Sequence, residues 1–118
     1  MFCLTLHREH AEAIANGSKY VENRSWGKNS NGSLRKGLDR TIGIHRGGKG
    51  GAIIATAKVA MILTPEQALK YFPEQKQHIG GPQCWILSEV KRIKPIFCAG
   101  NQGLWEINLT TSDIEYLD

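Results

Sequence analysis

The order of apolar and polar residues predicts a strand and then a short helix at the start of the chain. Residues 2–6 (FCLTL) are apolar and β-prone, which favours a strand. In residues 7–16 the apolar Ala11 and Ile14 recur at helical spacing among charged residues, and Gly17 follows, as glycine often does after a helix end. We therefore expect the chain to begin with a strand that leads into an amphipathic helix.

Five further segments have the alternation or the apolar character of β-strands. They are residues 19–26, 40–46, 52–63, 83–94 and 101–109. Before the fourth of them, Thr64 is a good N-cap, Pro65 is a good first helical residue, and Pro73 is expected to end the helix. About six strands with two or three short helices predict an α+β domain built on a small mixed or antiparallel barrel.

The composition fits one small domain. The 118 residues, of which 41% are hydrophobic and 22% charged, can bury a core without disulfides or a metal. We expect residues 1–118 to form a single cytoplasmic domain, because no segment has the pattern of a signal peptide or a membrane span. The three cysteines are far apart and form no C-x-x-C pair, so we expect buried, reduced thiols.

Positive charge is concentrated in residues 24–49. Seven Lys and Arg residues stand against a single Asp there, whereas the remaining residues carry eight positive and ten negative side chains. A basic segment on a nearly neutral body is typical of proteins that bind a polyanion such as nucleic acid. A solvated loop explains the same charges, since residues 27–39 are rich in Gly, Asn and Ser.

Residues 19–26 (KYVENRSW) raise the main functional question. Lys19, Glu22 and Arg24 form either a solvated surface ion pair or the floor of a site. In a regular strand Glu22 and Arg24 share a face and can pair, whereas Lys19 lies on the opposite face and reaches Glu22 only through a twist or bulge. The residues alone do not decide between these alternatives.

Four motifs in order resemble the ASCH domain family, a branch of the PUA-like superfamily. A G-x-K-x-x-E-x-R element at 17–24 is followed by IGIHRG, by GPQCWIL and by NQGLWEI. The resemblance extends over residues 2–108 and implies a PUA-like pseudo-barrel with a central cleft. It also implies a nucleic-acid ligand, such as RNA, or a nucleobase-like small molecule.

The resemblance implies that four elements line this cleft: the first helix, the Lys/Glu/Arg strand, the IH strand and the loop after the last helix. The residues expected to contact the ligand are Lys19, Glu22, Arg24, Trp26, His45, Arg46, Gly81, Pro82 and Gln102. Among them, Arg24 offers a planar fork for a phosphate or a base edge, and Trp26 offers a surface for base stacking. The alternatives are core packing for Trp26 and a hydrogen-bonded structural role for His45. We expect Trp85 and Trp105 to have mainly structural roles.

Some compact ASCH-like proteins are hydrolases that use a lysine, a threonine and a glutamate. Glu22 stands at the position of that threonine, so this chain lacks the hydroxyl there, although Thr41 is a second candidate. We therefore favour ligand binding over catalysis. The alternative is an amidohydrolase on a modified nucleoside, or a ribonuclease, with Lys19 and Glu22 as the acid–base centre. No cofactor or metal is expected, because His and Cys do not form a ligand set.

Overall fold

A computed structural model describes residues 1–25 and 40–117 of the chain. Its strands are β1 (Phe2–Leu6), β2 (Val21–Arg24), β3 (Thr41–Arg46), β4 (Ala52–Leu63), β5 (Gln83–Phe97) and β6 (Leu104–Glu106). Its α-helices, within the same ranges, are α1 (Arg8–Ala15) and α2 (Pro65–Tyr71), and two 3-10 helices lie at Pro73–His78 and Thr111–Asp113.

The six strands of the described ranges form one mixed sheet in the order β2-β5-β4-β3-β1-β6. β1 runs parallel to β3, and every other neighbouring pair is antiparallel. The long strands β4 and β5 change register at three places, and such bulges increase strand twist and curl the sheet into a half-barrel. The predicted fold, a small α+β pseudo-barrel of about six strands, is confirmed.

β3 shows how the sheet buries both of its faces. Ile42 and Ile44 are fully buried in the main core, beneath α1, as the alternation predicts. Gly43 and His45 lie on the other face, where a Cβ at Gly43 would come within 2.9 Å of the Cys3 Sγ atom. A larger residue at this position would force the Cys3 side chain to shift, so the packing favours glycine here.

The two helices follow their sequence signals closely. A capping box opens α2: Gln67 N donates to Thr64 Oγ1 at 3.1 Å, and Thr64 N donates to Gln67 Oε1 at 3.0 Å. α1 ends before Gly17, whose φ of +87° is the left-handed conformation that glycine favours. No helix in the described part of the chain is both long and apolar enough to cross a membrane.

The strand ends differ from the predictions at three places. β2 begins at Val21 rather than at residue 19, β6 is shorter than the predicted 101–109, and β5 continues to Phe97. β5 continues because its end pairs with Ala52 of β4. The predicted stacking residue Trp26 and the predicted loop 27–39 lie outside the described residues.

Candidate functional site

Four polar side chains form a continuous chain between α1 and β2. Lys19 Nζ lies 2.9 Å from His10 Nδ1 and 3.2 Å from Glu22 Oε1. The other carboxylate oxygen, Glu22 Oε2, lies 3.2 Å from Arg24 Nη2. Lys19 is only 3% exposed and Glu22 only 7%, so this is not a solvated surface pair. One nearly buried carboxylate is shared between two cations.

The turn between α1 and β2 explains how Lys19 reaches Glu22. Lys19 N donates to Ala13 O at 3.1 Å, which turns the chain back beneath the helix. Because β2 begins only at Val21, the alternation of strand faces does not apply to Lys19. The turn thus supplies the departure from regular strand geometry that the pairing requires.

A cleft of about 630 Å³ opens above this chain of side chains. It lies between the start of α1, the strand β2 and the glycine-rich turn after β3, which comprises residues 47–51 (GGKGG). Of the described residues that line it, Arg8, Arg24 and Lys49 are cationic and Glu22 is the acidic one. The lining therefore has an excess of positive charge, and Lys19 adds to it from below.

Arg24 is held at the cleft by two acceptors. Its Nη2 group contacts Glu22 and also donates to Thr5 O at 3.3 Å. Burial lowers the pKa of the Arg24 guanidinium, and the Glu22 carboxylate opposes that shift. Its Nε atom is buried without a hydrogen-bond partner among the described residues. The described residues thus satisfy only some of the hydrogen-bond donors of the Arg24 guanidinium.

Two arginines connect α1 with the end of β3 and with the glycine-rich turn that follows it. Arg8 Nη2 donates to Lys49 O at 2.9 Å. Arg46 Nη1 lies 3.0 Å from Glu12 Oε1, and its Nη2 lies 3.4 Å from Gly50 O. Glu12 therefore neutralises Arg46, which the sequence analysis placed among the ligand contacts.

His45 lies at a smaller cavity of about 410 Å³ beside the cleft, together with Gln102. Its Nε2 is 2.8 Å from Cys98 O and its Nδ1 is 3.2 Å from Thr5 Oγ1. Because a carbonyl only accepts, the ring proton is on Nε2, and Nδ1 accepts from the hydroxyl. The same hydroxyl accepts from Trp105 Nε1 at 2.9 Å.

Both ring nitrogens of His45 are therefore committed to the protein. Asn101 N also donates to Thr5 Oγ1, at 3.3 Å, which uses the remaining acceptor site of that hydroxyl. The network gives His45 the structural role that the sequence analysis kept as its alternative, and it gives Trp105 the structural role that was expected. A ligand contact by His45 or Gln102 stays a prediction.

Gly81 and Pro82 lie outside the described lining of both cavities, and Pro82 is exposed. Asn23 Oδ1 accepts from the backbone N–H groups of Gly80 and Gly81, both at 2.9 Å. Gly81 has a φ of +78°, and a Cβ there would lie 2.3 Å from Pro65 Cγ. This glycine allows close packing of the α2 end of the domain, and its predicted ligand contact stays a prediction.

Trp85 and Thr41 do not belong to the described lining of the cleft. Trp85 is fully buried in the main core, and Thr41 is exposed at the start of β3.

Burial raises the pKa of the Cys3 thiol to about 12 and raises that of Cys84 and Cys98. Within the described ranges no three His, Cys, Asp or Glu side chains form a metal-binding group.

Sequence reasoning missed the contributions of Thr5, Arg8 and His10, and it included Lys49 only as part of the basic segment 24–49. Thr5 becomes central because β1 pairs in parallel with β3, which sets it opposite His45. His10 and Arg8 lie on α1 at positions that an amphipathic pattern assigns simply to a solvent face. The proximity of α1 to the β3–β4 turn, which no local signal encodes, brings them into the site.

Comparisons with known proteins identify the family and support the fold of this domain. The family model for the ASCH domain matches residues 4–97. A crystal structure of ASCH from Zymomonas mobilis has a TM-score of 0.66 and 18% identity, covering 91% of this chain and 87% of that one. Two variants of that protein, a serine-to-alanine and a tyrosine-to-phenylalanine mutant, give the same TM-score. Comparison with curated protein sequences gives no match. The chain belongs to the ASCH domain family.

Proposed function

We propose that the cleft binds RNA or a small nucleobase-like ligand that carries phosphate. The observation that carries this proposal is the cationic lining of a concave cleft. Arg8, Arg24 and Lys49 line it against the single carboxylate of Glu22 among the described residues. A volume of about 630 Å³ is within the range of small-molecule sites and accommodates a nucleotide.

The start of α1 adds to the attraction for an anion. His7 forms no side-chain cap at this end of the helix, which carries the positive pole of the helix dipole. Leu6, His7 and Arg8 all line the cleft. A phosphate between Arg8 and Arg24 would meet both guanidinium groups and the helix end.

Glu22 supports recognition of a base as well as a phosphate. Each carboxylate oxygen contacts one cation, at 3.2 Å in both cases, and retains capacity to accept a further hydrogen bond. The exocyclic amino group of a base is a suitable donor. A nucleotide rather than free phosphate is thus the better chemical match for a cleft with both kinds of group.

A salt titration of RNA binding tests this proposal. Fluorescence anisotropy with labelled single-stranded RNA should show affinity that falls steeply from about 50 to 200 mM salt, because phosphate neutralisation releases counterions. Arg24→Met should weaken binding and lower the salt slope by about one phosphate contact, or ~0.7. Arg92→Met, an exposed arginine on β5, is the matched control and should bind like the wild type.

Two outcomes would refute the proposal. One is the absence of RNA binding, or an affinity that does not change with salt. The other is an equal effect of the Arg24 and Arg92 variants, which would show that only net charge matters.

A hydrolase remains the second candidate because Lys19 lies between His10 and Glu22 and is nearly buried. Thr5 lines the cleft, but its hydroxyl is committed to the His45 network, so it is unsuited as a nucleophile. RNA supplies its own nucleophile: the 2′-oxygen attacks the adjacent phosphorus, its proton passes to a base, and the leaving 5′-oxygen takes a proton from an acid. Prolonged incubation of the labelled RNA tests the ribonuclease. Intact RNA under binding conditions excludes it, and cleavage that survives Lys19→Met excludes Lys19 from the mechanism.

A further inference from the structure

His10 has one ring nitrogen that the protein uses and one that it leaves open. An ammonium group carries only N–H donors, so the Lys19 Nζ atom at 2.9 Å makes His10 Nδ1 an acceptor. The ring proton of neutral His10 is then on Nε2. In the described part of the chain Nε2 has no hydrogen-bond partner, and His10 lines the cleft.

A comparison with His45 shows how the use of the Nε2–H group differs between the two histidines. Both histidines are assigned the Nε2–H tautomer by their contacts. His45 gives that proton to Cys98 O and is 1% exposed, whereas His10 is only half-buried and has its donor free. The first arrangement holds a fold together, and the second presents a hydrogen-bond donor of fixed position.

We propose that His10 is a ligand-contacting residue of the cleft, whose Nε2–H group donates to an acceptor oxygen of the ligand. This inference rests on the proposed function and identifies a residue for it. The acceptor is a phosphate oxygen or a base carbonyl oxygen, both of which a neutral imidazole N–H recognises. Arg8 and Arg24, which line the same cleft, supply the charge that draws such a ligand in.

Lys19 then acts through His10 rather than on the ligand. It is 3% exposed and lies outside the described lining of the cleft, so direct contact with a ligand is poorly accessible. Glu22 holds its ammonium at 3.2 Å, and that ammonium fixes the His10 tautomer. Lys19 and Glu22 are in this respect positioning residues, comparable to the outer partners that orient a metal-bound histidine.

Long-range proton–nitrogen NMR of the free protein tests the first half of the inference. The His10 ring should show a protonated Nε2 and an unprotonated Nδ1 at neutral pH, and Lys19→Met should mix the two tautomers. A protonated Nδ1 in the wild type would overturn the proposal. His78→Gln, which changes a neighbouring histidine outside the described lining, serves to assign the resonances and should leave the tautomer unchanged.

The second half is tested by titrating inorganic phosphate, uridine and single-stranded RNA in separate experiments. At least one should shift the His10 Nε2 resonance while His45 stays unchanged, and the responding probe shows whether phosphate or base supplies the oxygen. The absence of a shift with all three overturns the contact. A response to phosphate or uridine without RNA binding would refute RNA as the ligand and leave the His10 contact standing.

Two substitutions separate contact from positioning. The amide nitrogen of Gln reaches about as far as Nε2, whereas Asn carries an acceptor near the place of Nδ1 but stops short of the ligand. His10→Gln should bind the responding probe within about threefold of wild type, and His10→Asn should lose about three- to tenfold, as expected for one hydrogen bond. Any other result, including equal affinities or equal losses, contradicts a direct Nε2–H contact.

Discussion

Replacement of Glu22 by Gln should destabilise the domain more than an ordinary surface substitution. The amide keeps the shape of the side chain and removes the charge that Lys19 and Arg24 share. Loss of one partner from a buried ion pair costs about 3–5 kcal/mol, because the other charge stays buried. Lys19 retains His10 as an acceptor, and the Arg24 side chain is 20% exposed, so we expect a loss of about 2–3 kcal/mol.

Urea unfolding measures this loss as a lower midpoint at an unchanged m-value. A domain of this size has roughly 6–18 kcal/mol of stability, so the variant should still fold. Glu115→Gln is the matched control, since Glu115 is 71% exposed and lies 3.8 Å from Lys94; it should lose less than ~0.5 kcal/mol. Adding Lys19→Met to Glu22→Gln should recover about 1–2 kcal/mol, because the stranded cation is removed. Equal losses in Glu22→Gln and Glu115→Gln would refute the interpretation of a buried, shared carboxylate.

Two further predictions concern the His45 network and the cysteines. Gly100→Ala places a Cβ 2.5 Å from Thr5 Oγ1 and 2.7 Å from His45 Nδ1. Urea unfolding should therefore show a loss of about 1–3 kcal/mol, and the fluorescence of Trp105 should change. Unchanged stability would contradict the network. Burial raises the pKa of Cys3 to about 12, so this group stays a thiol at about pH 8 and iodoacetamide should label the partly exposed Cys98 first in the native protein. Mass spectrometry of timed samples measures this order of labelling. Equal labelling rates of Cys3 and Cys98 in the native protein would contradict the prediction, and denaturant should remove the difference.

The sequence predicts the fold of this domain well where local signals determine it. Thr64 and Pro65 mark the start of α2, and the apolar residues 52–63 match β4 at both ends. The ends of β2 and β5 depend instead on what pairs with them. β2 starts late because the residues before it turn beneath α1, and β5 runs on because Phe97 pairs with Ala52. Tertiary pairing overrides local pattern at such places.

The site was predictable as a segment and not as a set of contacts. Glu22 and Arg24 pair as expected from their shared strand face. The distinction between His45 and His10 has no sequence signal, because it depends on which partners occupy the ring nitrogens. Those partners are Thr5 and Cys98 for His45, from distant parts of the chain, and Lys19 for His10, from beyond a turn.

The surroundings of Glu22 give a physical reason to favour binding over a threonine-dependent hydrolysis. The carboxylate neutralises one cation that is 3% exposed and a second that is partly buried. A threonine at this position would leave both cations without a counter-charge, a loss that a hydroxyl cannot offset. We infer that this position supplies a fixed negative charge in place of a nucleophilic hydroxyl. The Glu22 carboxylate holds Lys19 against His10, and it holds Arg24 at the cleft. Under the proposed function, these polar groups would orient hydrogen-bond donors toward an anionic ligand.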